Sequence, residues 1–405
     1  MGSPPRPARP RASPARVAAA QSLCAVEAGD NADQALATFA PADGADRAAV
    51  WNLVLGVLRR RSALDAAIAT AAKRAPWTLD APVLAVLRVA LYELTFTRTP
   101  PHAAVDQAVE TARAIGVGHA AGFINAVLRR GVVPTEGDVT LGFPEWIIAR
   151  WRSRVGAVRA DAFMRACTEP ADVHIVAKED PAGVAASFQK AGQPLVPVGE
   201  GVFRLPPRSG RIDHLPGFAE GQWWVMDPAA VAAADLVPAV AAVLDTCAAP
   251  GGKSLRLASR GMQVTATDVD ATRMVRFEQN RARVGLGVEA RRHDWMNGPM
   301  AGAWPAVLVD APCTALGLVR RHPELRWRRT EADVHTAAKR QCLLLRHAAE
   351  AVLPGGCIVY AVCSPEPEEG PEVAASLGWP VEEVFSNEGN LAGADVFWAC
   401  RMRKT

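Results

Sequence analysis

Residues 239–258, "AVAAVLDTCAAPGGKSLRLA", decide the fold. An apolar run ends at Asp245, a tight Pro250-Gly251-Gly252 turn follows, and a helix-spaced stretch begins at once. A strand with no polar alternation is buried on both faces, as strands are in parallel sheets flanked by helices. The same texture recurs downstream. Apolar runs "QVTATDVD" (263–270), "AVLVDAP" (306–312) and "CIVYAVCS" (357–364) are separated by the helical stretches "ATRMVRFEQNRARVG" (271–285) and "EADVHTAAKRQCLLLRHAAEAVLPGG" (331–356). Residues 227–405 therefore read as an α/β domain with a doubly wound, mostly parallel sheet, which binds ligands at the carboxyl ends of its strands.

The chain before this domain has a different grain. Residues 14–132 carry apolar residues at three-and-four spacing with no strand pattern, so an all-α domain of about five to seven helices is expected, with Asp80 as a helix cap. A linker at 133–143 leads to one helix over 144–167, "PEWIIARWRSRVGAVRADAFMRAC". Between 171 and 226, "VHIVAK", "VFRLP" and "QWWVM" read as short strands around a helix near "PAGVAASFQKAG", so 144–226 is expected to be a linker helix and a small α+β subdomain. Residues 1–13, rich in Pro and Arg, read as a disordered basic arm without a secretory signal.

Composition excludes several classes. Formal net charge is +3, so any nucleic-acid surface must be local. The eight cysteines form no C-x-x-C pair and no Cys/His cluster at metal-ligand spacing, which argues against zinc and a disulfide framework and for reduced thiols in the cytoplasm. The apolar stretch 225–250 is broken by Asp227, Pro228, Asp235, Pro238 and Asp245, so no membrane span is expected. A monomer is the plain expectation.

Chemistry-bearing residues gather at the strand ends. The turn Cys247, Ala248, Ala249, Pro250, Gly251, Gly252, Lys253 brings backbone N–H groups close to a ligand, yet its adjacent glycines match neither the dinucleotide nor the P-loop fingerprint. Asp268 at the second strand end can hold a ribose diol; Asp270 is a competitor or a helix cap. Asp294, in "RRHDWMN", can accept from an adenine amino group or serve as a turn aspartate. Three acceptors without a phosphate site suit S-adenosylmethionine as cofactor. Asp310 and Cys313 end the strand of "LVDAPCTALG", and Cys363 ends that of "IVYAVCS". Two thiols without a metal fit attack of a thiolate on carbon 6 of a pyrimidine, which makes carbon 5 nucleophilic toward a methyl sulfonium. These residues alone do not rank Cys313 and Cys363 as nucleophile and helper. Cys247 reads as packing against the ligand. Arg320, Arg321, Arg326 and Trp327, in the run after Cys313, read as RNA contacts, the arginines for phosphate and the tryptophan for a base.

"DTCAAPGGK", "DAPCTALGLVRRHPELRW" and "YAVCS", in that order, resemble the RNA (cytosine-5)-methyltransferases of the RsmB/Nop/Sun family. "RVALYELTF" and "HAAVDQAVETARAIG", followed by "GFINAVLRR", resemble the NusB-like RNA-binding domain of its bacterial branch. The resemblance implies a Rossmann-like methyltransferase domain acting on a cytosine of small-subunit (16S) ribosomal RNA. It implies that Cys247 to Lys253, Asp268, Asp294 and Asp310 serve the cofactor, that Cys363 is the nucleophile and that Cys313 assists product release. The same chemistry on transfer RNA is one alternative; a non-catalytic RNA-binding or ribosome-assembly protein is another.

Overall fold

The computed structural model describes residues 11–42, 44–134, 142–207, 209–387 and 394–405. Most of the expected basic arm and most of the 133–143 linker lie outside them. The chain divides into two compact units: 1–169 with 319–328, and 170–318 with 329–405.

The first unit is helical: α1 (Pro14–Ala28), α2 (Ala32–Phe39), α3 (Gly44–Arg59), α4 (Arg61–Ala72), α5 (Ala81–Phe96), α6 (Pro101–Ala114), α7 (Ala121–Arg129), α8 (Glu145–Val155) and α9 (Ala157–Ala166). Its first seven helices match the expected number for 14–132. Helix α5 is buried on nearly every side, and the others close around it with Leu23, Leu36, Val54, Leu64, Ile68 and Ile124. Asp80 stands at the cap position of α5 but makes no capping side-chain bond. The single helix expected over 144–167 is two, broken at Gly156 (φ 82°), and both belong to this unit rather than to the α+β subdomain. A glycine inside a continuous apolar period left that break unmarked.

In the second unit, β1 (His174–Ala177), β2 (Val196–Gly199), β3 (Val202–Arg204) and β4 (Trp223–Val225) form a small antiparallel sheet in the order β2-β3-β1-β4, covered by α10 (Pro181–Lys190). It packs directly on the larger domain: Arg283 donates to the carbonyls of Phe218 (2.8 Å) and Trp223 (3.0 Å).

That larger domain runs α11 (Pro228–Asp235), β5 (Ala242–Asp245), α12 (Gly252–Ser259), β6 (Gln263–Asp268), α13 (Ala271–Val284), β7 (Val288–Arg292), β8 (Trp304–Asp310), α14 (Leu325–Arg328), α15 (Glu331–Glu350), β9 (Val352–Val362), α16 (Pro371–Ala375), β10 (Val381–Ser386) and β11 (Trp398–Arg403). The lone turn α14 belongs to the helical unit. Sheet order is β10-β11-β9-β8-β5-β6-β7; β5 to β9 run parallel, while β10 and β11 are antiparallel additions. The expected helix over 331–356 ends at Glu350, and "VLPGG" already belongs to β9. Val243, Leu244, Val307, Leu308, Ile358 and Val359 are fully buried along the sheet's centre. Each such side chain contributes about 1.5–3 kcal/mol, which holds the central strand ends rigid for the site above them. Chain order reverses between β5 and β8, so a crevice opens at their carboxyl ends. Among the described residues no helix is long and apolar enough to cross a membrane.

Candidate active site

The turn after β5 carries the predicted cofactor residues Cys247, Ala248, Ala249, Pro250, Gly251, Gly252 and Lys253. It is tied to β6: the Ala248 N–H donates to Thr267 O (2.9 Å), and the Ala249 N–H to Asp268 Oδ2 (3.1 Å). The Ala249–Pro250 peptide is cis, and Gly251 takes φ 107° as the cap of α12. A Cβ on Gly251 would come within 2.9 Å of the Phe277 ring, so glycine is required both for conformation and for space.

Asp268, buried at the end of β6, also accepts from the Asp270 N–H (2.9 Å). Asp270 instead caps α13, accepting from the N–H groups of Thr272 and Arg273 (2.8 and 3.0 Å). The two aspartates are thus separated by role: Asp268 faces the crevice and Asp270 holds a helix. Asp294 makes turn bonds, accepting from the Met296 N–H (2.9 Å) and Asn297 Nδ2 (2.8 Å), and it also lines the crevice. Sequence reasoning missed Arg273, which donates to Ala249 O and lies 3.6 Å from Asp268.

Cys247, Asp268, Asp294 and Cys313 share one cavity of about 600 Å³, which Arg329 and Arg340 also line. Carboxylates at or just beyond two successive strand ends, with Val269, Trp295, Met296 and Leu344 beside them, fit a nucleoside; Gly251 and Gly252 do not line this cavity. Burial pushes the Cys247 thiol far up, which disfavours its thiolate. Burial also lifts the Asp245 carboxyl to about 7, although Ser254 donates to it at 2.6 Å.

Lys253 and Asp310 pair at 2.7 Å, joining the cofactor turn to the end of β8. Burial opposes the Lys253 charge, but Asp310 and then Cys363 hold its pKa above the usual lysine value. Strands β8 and β9 pair in parallel up to Asp310 beside Ala361, so Cys313 and Cys363 emerge together just beyond the last rung. Their Sγ atoms lie 3.2 Å apart. The hydrogen bond to Cys363, then burial, then the charges of Cys363 and Glu369 push the Cys313 thiol well up. Among the described residues no group of His, Cys, Asp and Glu could hold a metal ion.

The predicted RNA-contacting run behaves otherwise. Residues 319–328 belong to the helical unit. Arg326 is fully buried: it donates to Gly142 O (3.2 Å), Cys167 O (3.1 Å) and Val319 O (3.1 Å), its guanidinium lies 4.2 Å from the Phe143 ring, and burial lowers its pKa to about 10. The expectation that Arg326 meets phosphate is corrected on that ground. Trp327 is half-buried beneath the Arg61 guanidinium, 5.5 Å from it. Arg320 and Arg321 are half-buried, and Arg320 O accepts from Arg59 Nε at 3.5 Å.

A doubly wound, mostly parallel sheet with a crevice lined by Asp268 and Asp294 at or just beyond two successive strand ends is the architecture of methyltransferases that use S-adenosylmethionine. Comparison with known proteins narrows this. Residues 237–379 match the model of the 16S rRNA methyltransferase RsmB/F family, and residues 13–132 match that of the NusB family. Ribosomal RNA small subunit methyltransferase B of Xanthomonas campestris is 35% identical over 86% of this chain and 84% of its own length. The putative methyltransferase Rv1407 of Mycobacterium tuberculosis is 35% identical over 89% of this chain and 85% of its own. The crystal structure of PH0851 superposes with a TM-score of 0.82 at 21% identity, over 98% of this chain and all (100%) of that one. The chain belongs to the RsmB/F family of RNA methyltransferases.

Proposed function

We propose that this protein methylates carbon 5 of a cytosine in small-subunit ribosomal RNA through a covalent bond between Cys363 and carbon 6. The observation that carries the reading is the thiol pair, 3.2 Å apart beside the cofactor turn. The name carried by relatives such as that of Xanthomonas campestris supports the ribosomal target.

When bound, S-adenosylmethionine supplies an electrophilic methyl group. Asp268 and the 247–253 turn orient its nucleoside, with Asp294 at the far side of the same cavity. The Cys363 thiolate bonds to carbon 6, and the displaced π-electrons make carbon 5 nucleophilic. Carbon 5 would take the methyl group that bound S-adenosylmethionine supplies, with the neutral thioether as leaving group. A base then removes the carbon 5 proton, the double bond re-forms, and the carbon 6–sulfur bond breaks to return the Cys363 thiolate. Two groups favour Cys363 for the charged role. Lys253 lies within electrostatic reach of it, and the Cys313 S–H can donate to its sulfur. Cys313, kept protonated, stabilises the same thiolate as it departs. The negative charge of Glu369 acts against the reverse assignment.

The test is nucleoside mass spectrometry of RNA from cells with and without the gene, complemented by wild type or by Cys363→Ala. Loss of one 5-methylcytosine from 16S RNA, restored only by wild type, supports the reading. Loss from transfer RNA instead moves the target but keeps the chemistry. Restoration by Cys363→Ala removes Cys363 from its role.

A further inference from the structure

Beneath the two thiols lies a carboxylate with no part in the steps above. Glu369 is fully buried. Its Oε2 accepts from the Thr314 N–H (2.8 Å) and from Gln341 Nε2 (3.1 Å). Its Oε1 accepts from the hydroxyls of Thr314 and Ser364, the latter at 2.5 Å, and those hydroxyls lie 3.3 Å from each other. Thr314 follows Cys313 directly, and Ser364 follows Cys363 directly. The carboxylate is itself fixed: Tyr360 Oη, in β9, donates to Glu369 O at 2.6 Å. Gln341, in α15, donates in addition to Pro312 O at 3.0 Å, just before Cys313. Thr314, Ser364, Gln341 and Tyr360 are all nearly or wholly excluded from water.

Two separate strand-end loops, some fifty residues apart in sequence, are thus tied to one side chain. A buried carboxylate with four neutral donors, and no cation bonded to it among the described residues, costs free energy relative to an apolar filler. A pocket that served only packing would be filled more stably by a leucine or methionine. What the carboxylate does that an apolar group does not is fix the position of the residue after each cysteine. We infer that Glu369 is a positioning residue that sets the mutual placement of the Cys313 and Cys363 thiols for the covalent cycle. The inference rests on the two-cysteine reading above.

The substitutions that test this differ in what they remove. In Glu369→Gln the amide oxygen can still accept from the Thr314 N–H and Gln341. Its NH2 then faces two hydroxyls, which can turn and accept. The tie survives, and turnover should stay within a few-fold of wild type. Glu369→Ala strands those donors, and Ser364→Ala removes the tie to the Cys363 loop, together with the Ser364 contacts to Thr314 and the Glu366 N–H, while Thr314 and Gln341 stay on the carboxylate. A misplacement near 1 Å can cost about 10²-fold in rate. Loss of the tie should therefore lower kcat by roughly 10- to 100-fold while leaving RNA KM and cofactor affinity unchanged.

Separated thiols also lose the assistance to release. The fraction of enzyme held as a denaturant-resistant RNA adduct, per cofactor-binding site, should then rise several-fold. A residue that merely holds the fold together would lower the number of competent sites without changing that fraction. Wild-type kcat and adduct fraction in Ser364→Ala and in folded Glu369→Ala would overturn the inference. So would a Glu369→Gln variant as impaired as Glu369→Ala, since charge and not placement would then matter. Should Glu369→Ala fail to fold, Ser364→Ala and Glu369→Gln decide. Cys363→Ala in the same assay separates the two levels: methyl transfer by that variant defeats the cysteine reading itself, whereas its inactivity beside a wild-type Ser364→Ala defeats only the role of Glu369.

Discussion

At the scale of single residues, the site is a balance of burial against charge. The Cys313 thiol is pushed up by its bond to Cys363, by burial and by nearby negative charge. Cys313→Ala should bind RNA and cofactor normally but accumulate a covalent protein–RNA adduct visible on a denaturing gel; full turnover without adduct would remove it from release. Asp245 shows the cost of burial most directly. Its folded pKa of about 7 lies above the unfolded carboxyl value, so the folded state binds the proton more tightly. Stability from this group is fully present below about pH 4 and is lost as pH rises through 7. Asp245→Asn should therefore gain on wild type in denaturant titrations as pH rises from 4 to 8, by up to about 4 kcal/mol, three units at 1.36 kcal/mol each. An advantage independent of pH would show that Asp245 is ionised throughout. Asp268 and Asp310 were legible because they end their own strands, both cysteines because they follow strand ends, and Lys253 because it follows the Pro-Gly-Gly turn at the start of α12. Glu369 was not legible, because its bonds to Thr314 and to Gln341 of α15 join it to segments distant in sequence. The one trace was local: each cysteine is followed by a hydroxyl residue, Thr314 or Ser364.

At the scale of elements, the central parallel strands and their helices were legible because burial on both faces writes unbroken apolar runs. The edges were not. Strand β2 is exposed throughout and β10 nearly so, so neither carries an apolar pattern. The element proposed to hold the cofactor is the β5–α12 connection. Gly251 there combines a left-handed φ with a close approach to Phe277 on α13. Gly251→Ala must strain the backbone by about 1–2 kcal/mol and push the Phe277 ring aside. Calorimetry should read this as a Tm lower by several degrees and S-adenosylmethionine affinity reduced at least tenfold. Unchanged affinity would mean that the turn does not approach the ligand.

At the scale of the whole molecule, charge along the sequence misled where topology decided. Residues 319–328 lie between Cys313 and α15 in the chain, yet they belong to the helical unit, and Arg326 is the reason. Its guanidinium bonds to the carbonyl preceding Phe143, to the carbonyl closing α9 and to Val319 of its own segment. A run of arginines cannot show which member turns inward, because burial of a guanidinium depends on carbonyls supplied far away in sequence. The two roles for Arg326 give opposite results on substitution. A phosphate contact, when lost, weakens RNA binding and lowers the slope of log affinity against log salt by about one. A buried tie, when lost, leaves carbonyls without donors at about 1–3 kcal/mol each and loosens the unit. Arg326→Met, which retains much of the volume, should lower Tm by several degrees. At a temperature where the variant is fully folded, RNA affinity and salt slope should match wild type. A reduced slope with an unchanged Tm would return Arg326 to the RNA surface.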